Sequence, residues 1–369
     1  MKVALCLFKY FPYGGLQRDF LRIAKELKAR GHEIRVYVQS WQGEKPDGME
    51  IIQVPVKALS NHAKAQKYHA WVLEHIRKNP VDRLVGFNKM PDLDVYYGAD
   101  ICYEEKVQNE KGFFYRLTPR YHHLHNYEAQ TVGRGLKTKL MIITPKQKVE
   151  FQKHYQTEDN RFYLLPPGIA LDRKYTNFFE SQREEMRSQL GLGNDDFMII
   201  QIGSDFKRKG LDRSIEALAS LPENVRSHTQ LYVLGQDKAQ GYEQQAVQLG
   251  VSDRVHILGG RDDVANFIAA ADLFVHPARS ENTGTVILEA MAGGVPQIVT
   301  EVCGYAHYVN EAQSGLVLQT PFSQEEFNKF LLQALNKDTL SQWRTNACHF
   351  ADTKDLYSLP QKAADIILE

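Results

Sequence analysis

The run Glu281-Asn282-Thr283-Gly284-Thr285-Val286-Ile287-Leu288-Glu289 sets two carboxylates on either side of a glycine, just after the strand-like Leu273 to His276 and Pro277. It reads as strand, loop, helix N-terminus. With Gly284 near the helix start, the amides of residues 283 to 286 lack carbonyls to bond. The helix dipole adds roughly 0.3 to 1 kcal/mol for an anion held there, so the turn is a seat for a diphosphate. Glu281 lies in the preceding loop and Glu289 about one and a half turns into the helix, which is no adjacent acid/base pair. They are better suited to accept hydrogen bonds from separate hydroxyls, one set on a sugar and one on a ribose. A lone loop acid and helix acid would need only the dipole to account for them; the flanking pattern argues for a ligand.

Gly203-Ser204-Asp205-Phe206-Lys207-Arg208-Lys209-Gly210 ends a strand and leads into a helix, with three cations on the loop. Arg208 can grip phosphate oxygens in a fork and Lys209 can supply a compact charge, together stabilising a departing diphosphate. The plainer reading is a solvated basic turn. Gly14-Gly15 follows the first strand without the GxGxxG spacing of a dinucleotide fold, which speaks against a nicotinamide cofactor. Two adjacent glycines still let a ligand approach the backbone closely. Asp19, expected in the first turn of the next helix, could reach a sugar hydroxyl or an acceptor proton; as a plain first-turn acid it needs no function. Arg173 and Arg261 fall on strand-end loops and, taken singly, are ordinary surface arginines.

The segment Tyr103 to Val132 concentrates Lys111, Phe113, Phe114, Tyr115, Arg116, Arg120 and Tyr121, and it has no acidic residue between positions 111 and 127. Aromatic and basic side chains together suit the headgroup region of an anionic membrane, where each cation is worth about 1 kcal/mol. The alternative is the wall of an acceptor cleft or a core helix.

Strand-end loops of this kind need sheets to present them. Strand-like runs at Val3 to Phe8, Ile34 to Val38, Ile51 to Val54, Leu84 to Phe87 and Leu140 to Thr144 alternate with helical patterns over residues 16–30 and 63–78. Phe20, Ile23, Ala24 and Leu27 share one helix face, and Gly31 fits its C-cap. The run Phe162 to Ile169 ends at Pro166-Pro167-Gly168, and the polar stretch 172–196 follows, so the domain boundary is expected after residue 168. A second series begins at Met198 to Ile202 and continues through Leu231 to Leu234, Val255 to Leu258, Leu273 to His276 and Gln297 to Thr300, with a helical tail after Ser323. The expected fold is α/β, with two doubly wound domains, 1–168 and 169–369, facing across a cleft; the last helix, about 355–369, is expected to pack back on the first domain. Ligands of open α/β sheets bind at the carboxyl ends of the strands, which makes the cleft the expected site.

Composition excludes several classes. Of 369 residues, 43% are hydrophobic, and Lys+Arg and Asp+Glu balance at 45 each, so no global field recruits nucleic acid. No apolar run is long enough to span a bilayer, and no secretory signal is expected. Cys6, Cys102, Cys303 and Cys348 are scattered without ligand-like neighbours, so they read as reduced thiols of a cytoplasmic protein, with no metal site.

Taken together, the Gly14-Gly15 loop, the Pro166 to Ile169 linker, the Arg208-Lys209 loop and the Glu281/Glu289 pair resemble the retaining glycosyltransferases of family 4, in the family's order and over nearly the whole chain. More narrowly, the runs Lys9 to Phe20, Val85 to Pro91 and Val302 to Tyr308 resemble bacterial glucosyltransferases of the lipopolysaccharide core. The resemblance implies a GT-B fold with Rossmann-like domains and α-1,3 transfer of glucose from UDP-glucose to an inner-core heptose, with retention. It implies no obligatory metal or cofactor, and peripheral attachment to the cytoplasmic face of the inner membrane through the segment matching Tyr103 to Val132. It would set Gly15 and Asp19 at the donor sugar and phosphates, and Arg173, Arg208 and Lys209 at the diphosphate. Arg261 would meet the uracil through its backbone, Thr283, Gly284 and Thr285 the phosphate or sugar, and Glu289 the ribose. Glu281, Lys209 and Asp19 are the residues expected to act in catalysis. The family's histidine near the sugar in domain one has no counterpart in the first glycine loop or soon after Val85 to Pro91. Rival readings are another GT-B hexosyltransferase acting on a different membrane glycolipid, a GT-B epimerase or phosphorylase, or a membrane protein that binds a nucleotide sugar without turning it over.

Overall fold

Apolar runs that do not alternate become strands covered on both faces. Val3, Ala4 and Leu5 are wholly buried in the first of them. The computed structural model describes residues 1–12, 14–175 and 178–369; Tyr13, inside one of the runs quoted above, lies outside the described residues. The chain forms two units, Met1–Gly168 with Ser358–Glu369, and Ile169–Tyr357.

In the first unit the strands are β1 (Lys2–Cys6), β2 (Lys9–Tyr10), β3 (Glu33–Val38), β4 (Ser40–Trp41), β5 (Glu50–Gln53), β6 (Arg83–Gly86), β7 (Val95–Gly98), β8 (Lys139–Ile142) and β9 (Phe162–Leu164). Among the described residues, seven of them make one sheet in the order β5-β3-β1-β6-β7-β8-β9, and β2 pairs with β4 beside it. The pairings are parallel. The helix Gly15–Ala29 buries Phe20, Ile23, Ala24 and Leu27 against one sheet face. It ends where Gly31, at φ 85°, turns left-handed: the Gly31 amide donates to Lys28 and the His32 amide to Leu27, the paired bonds of a Schellman end. Because this helix starts at Gly15, Asp19 is its fifth residue and stands in the second turn, not the first as expected, beyond the uncapped amides.

The last helix, Leu359–Leu368, belongs to this unit and lays Leu359, Ala363, Ala364 and Ile367 into the same apolar cluster. Arg30 anchors it, with Nη1 2.7 Å from Asp365 Oδ1 and Nη2 donating to the Gln361 carbonyl at 3.1 Å.

In the second unit the strands are β10 (Phe197–Ile202), β11 (Thr229–Leu234), β12 (Val255–Ile257), β13 (Leu273–His276), β14 (Gln297–Thr300) and β15 (Gly315–Leu318), ordered β12-β11-β10-β13-β14-β15. All pair in parallel. The chain winds one way from β10 to β12, then returns to the far side of β10 with β13. The strand order therefore reverses between β10 and β13, where open parallel sheets leave a crevice for ligands. The polar stretch after residue 172 carries a helix, Phe178–Gln189, that its composition did not suggest. Two arginines hold it: Arg187 Nη1 lies 2.9 Å from Asp272 Oδ2, and Arg183 Nη1 donates to the carbonyls of Ala270 and Ala271.

Ile367 has no exposed surface. Ile367→Ala is expected to cost about 2–5 kcal/mol, read as a lower urea midpoint. An unchanged midpoint would mean that the terminal helix contributes nothing to the first unit's core.

Candidate active site

Two loops leave the sheet on either side of the reversal, residues 203–210 after β10 and 277–284 after β13, and their backbones are laced together. The Arg279 amide donates to the Arg208 carbonyl at 2.8 Å, Gln201 Nε2 to the Lys209 carbonyl at 3.0 Å, and Arg213 Nη1 to the Pro277 carbonyl at 2.9 Å. Gly210 sits at φ 73°, and a Cβ there would fall 2.1 Å from the Pro277 carbonyl oxygen. Only glycine allows this approach.

The lacing brings Arg208, Lys209 and Glu281 together. Both cations, expected to stand ready for phosphate, are engaged with the same carboxylate oxygen. Arg208 Nη1 lies 3.1 Å from Glu281 Oε2 and donates to the Ser280 carbonyl at 3.1 Å, while its Nε lies 2.9 Å from Asp205 Oδ2. The Lys209 ammonium contacts Glu281 Oε2 directly, and Lys209 is buried. Burial alone would raise the Glu281 carboxyl, but the neighbouring His276 ring and the charge and hydrogen bond of Lys209 hold it well below the usual carboxylate range. His276 Nε2 is 3.7 Å from Oε2, and burial pushes the imidazole down to about 4, so it is neutral at pH 7. Glu281 is thus an ionised acceptor at neutral pH, not a proton donor.

Gly284, at φ 76°, precedes the helix Thr285–Ala292, and no side chain caps it. Its ideal Cβ would lie 3.4 Å from Glu281 Cγ, so the start of the helix abuts the charge cluster. The run Val302 to Tyr308 pins the intervening loop, with the Gly304 and Tyr305 amides donating to the Asn282 and Thr283 carbonyls at 3.0 and 2.8 Å. The Thr283 and Thr285 hydroxyls are 3.4 Å apart, and Glu289 is buried in the helix's second turn.

The other expected residues are carried by other elements. Arg173 closes a short turn, Leu171–Arg173, in the second unit. Arg261 follows β12, its guanidinium forked on Asp263 at 2.7 Å and 4.8 Å above the Phe267 ring. Gly15 opens the first helix of the first unit, where a Cβ would meet nothing within 4 Å, and Asp19 accepts from the Tyr97 hydroxyl at 2.7 Å.

Two residues went unrecognised in the sequence. Asp205, left-handed at φ 64°, accepts from the Arg208 amide and orients its guanidinium. His276 ends β13 wholly buried, with neither ring nitrogen hydrogen-bonded. An aspartate three residues before an arginine, and a histidine closing an apolar strand ahead of the glutamate loop, were the available signals.

The basic-aromatic segment folds as Tyr103–Glu110, Phe113–Leu117 and Pro119–Val132. Phe113, Phe114 and Leu117 are 76%, 81% and 66% exposed, an apolar tip facing water, with Lys111 and Arg120 exposed nearby. Tyr121 does not share that surface: it is buried, its hydroxyl donating to Glu104 Oε2 at 2.9 Å. Arg116 is held 2.6 Å from Glu104 Oε1, so the acid missing from residues 111–127 arrives from the preceding helix. Among the described residues no helix is long and apolar enough to cross a membrane, and no group of three or more His, Cys, Asp or Glu is placed to hold a metal ion.

Residues 182–349, which include both site loops, match the family model described as glycosyl transferases group 1. The lipopolysaccharide glucosyltransferase WaaG of Escherichia coli (strain K12) is 56% identical over 368 residues, covering 100% of this chain and 98% of that one. The crystal structure of WaaG, a glycosyltransferase involved in lipopolysaccharide biosynthesis, superposes with a TM-score of 0.93 over 99% of each chain. HepE from Anabaena, solved with UDP-glucose, shares the fold at 20% identity, with a TM-score of 0.73 over 99% of this chain and 98% of that one. With full-length identity of this order added to the paired α/β units, the chain belongs to the group 1 glycosyltransferases and is a glycosyltransferase of the GT-B fold.

Proposed function

We propose that the chain transfers glucose from UDP-glucose to an inner-core heptose of lipopolysaccharide, forming an α-1,3 bond with retention. The observation that carries this reading is the full-length 56% identity to a lipopolysaccharide glucosyltransferase, joined to a partly buried Arg208-Lys209-Glu281 cluster at a helix start.

Chemistry follows from exchanging partners in that cluster. When a diphosphate enters, Lys209 and Arg208 turn their charge from Glu281 to the phosphate oxygens, and the first-turn amides after Gly284 add theirs. The carboxylate of Glu281, relieved of its cations, accepts hydrogen bonds from the sugar hydroxyls. The bond from the sugar's C1 to the diphosphate oxygen breaks while the acceptor oxygen bonds C1 from the same face, and the acceptor's proton passes to the departing phosphate. Thr283, Thr285, Arg173 and the Arg261 backbone line the donor, and Glu289 takes the ribose. Side chains and a helix terminus supply the positive charge, so this reading includes neither metal nor cofactor. The exposed Phe113-Phe114 tip with Lys111 and Arg120 rests on the anionic cytoplasmic face of the inner membrane, as a peripheral attachment.

Glu281→Gln should lower turnover about 10²-fold, in the range for losing one preorganised polar group, while UDP binds no more weakly because both cations are freed. Lys209→Ala should weaken UDP about tenfold in calorimetry, as expected for one charge-assisted bond. Wild-type turnover in the first variant, or undiminished UDP affinity in the second, would remove the assigned role. EDTA should leave the rate unchanged; a loss restored by a divalent cation would contradict the metal-free reading.

Replacing Phe113 and Phe114 by Ser should reduce pelleting with phosphatidylglycerol vesicles more than Arg116→Ala does, since Glu104 already holds Arg116. Equal pelleting of all forms would end the membrane assignment.

A further inference from the structure

We propose that a cavity within the first unit binds a phosphate group carried on the acceptor sugar. The cavity has a volume of about 580 Å³ and is lined by the start of the helix Asn61–Lys78, the loop after β6, and the helices Tyr103–Glu110 and Pro119–Val132. The inference rests on the glycolipid-acceptor reading above and adds what the acceptor must carry.

The lining carries more basic than acidic side chains, beside neutral groups that both donate and accept. Lys106 and Arg120 reach it from two helices, and His62 and His123 face each other with ring centroids 5.9 Å apart. Among the described residues Arg120 forms no ion pair, and Lys106 is paired with Glu110 at 3.9 Å. His123 is only 6% exposed, yet its Nδ1 has no hydrogen-bond partner. A buried unpaired nitrogen costs stability unless something completes it. The helix Asn61–Lys78 begins at the cavity wall with no acidic residue in its first turn, so its dipole adds positive potential. Against these stands the carboxylate of Asp100; Lys89, also in the lining, is already matched by Glu128 and the Ile101 carbonyl. Lys106 and Arg120, two imidazoles and a helix start suit a group that carries negative charge and accepts hydrogen bonds. A phosphate monoester meets that description, whereas an uncharged sugar would leave the positive charge of the lining unanswered.

The phosphate could come from the acceptor or from a phospholipid headgroup, since the helix Pro119–Val132 also borders the exposed apolar tip. Core oligosaccharide acceptor, intact and phosphatase-treated, would be assayed at saturating UDP-glucose with the wild type, Lys106→Ala and His123→Gln, with thermal midpoints as a folding control. The expected result is a rise in acceptor KM of about tenfold in both variants with the intact acceptor, less than about twofold with the treated one, and little change in kcat. An equal rise for both acceptors, or no rise, overturns the proposal. Reduced pelleting of the variants with phosphatidylglycerol vesicles at unchanged KM also overturns it, and assigns the cavity to a lipid. If the wild type transfers no glucose at all, the glucosyltransferase reading fails by itself. Calorimetry of inorganic phosphate at saturating UDP then decides the site: weaker binding by Lys106→Ala upholds it and equal binding rejects it.

Discussion

Glu281 keeps a charge in a nearly dry place because Lys209 and Arg208 converge on one of its oxygens. Removing Lys209 or Glu281, the two buried members, leaves the other uncompensated, at a cost of about 3–5 kcal/mol, so the cluster constrains both loops that carry it. On the proposed reading, the same property makes it a receptor. A buried ammonium and a half-buried guanidinium, held by a carboxylate that has other partners to accept, would pass to a phosphate with little reorganisation. The protein's own carboxylate thus occupies, in the ligand-free chain, the place in the charge balance that a diphosphate would take.

That arrangement depends on parallel sheet geometry. The strand order reverses between β10 and β13, so two consecutive-in-space loops leave the same sheet edge side by side. Gly210 removes the last steric obstacle between them, and Gly284, left-handed, ends the second loop as the helix begins. The remaining contacts, from Gln201 under the Lys209 carbonyl to the Gly304 amide on Asn282, fix the loops to strands and to the neighbouring run. Function is carried here by loops, and precision by the backbone bonds between them.

Most of the architecture could be read from apolar runs, because strands buried on both faces leave no alternation to confuse with a helix. The exceptions are instructive. β7, Val95–Gly98, and β15, Gly315–Leu318, were not read, and their length is not the reason, since β13 and β14 are also four residues and were read. The helix Phe178–Gln189 hides in a polar stretch because arginine bonds to Asp272 and to backbone carbonyls hold it, and hydrogen bonding of that kind leaves no hydrophobic period to detect. At the site, the basic loop and the glutamate pair were legible as motifs, but their mutual engagement was not: residues 209 and 281 meet only through the sheet. Likewise, Tyr121 looked like part of a surface stripe until Glu104, seventeen residues earlier, was brought against it.

The central claim is that a diphosphate displaces Glu281 from its two cations at the start of a helix. A crystal structure of the protein with UDP tests it directly. The account predicts the pyrophosphate beside Arg208, Lys209 and the amides following Gly284, with the Lys209 ammonium moved off Glu281. A pyrophosphate bound elsewhere, or bound there with the Lys209–Glu281 contact intact, would contradict it.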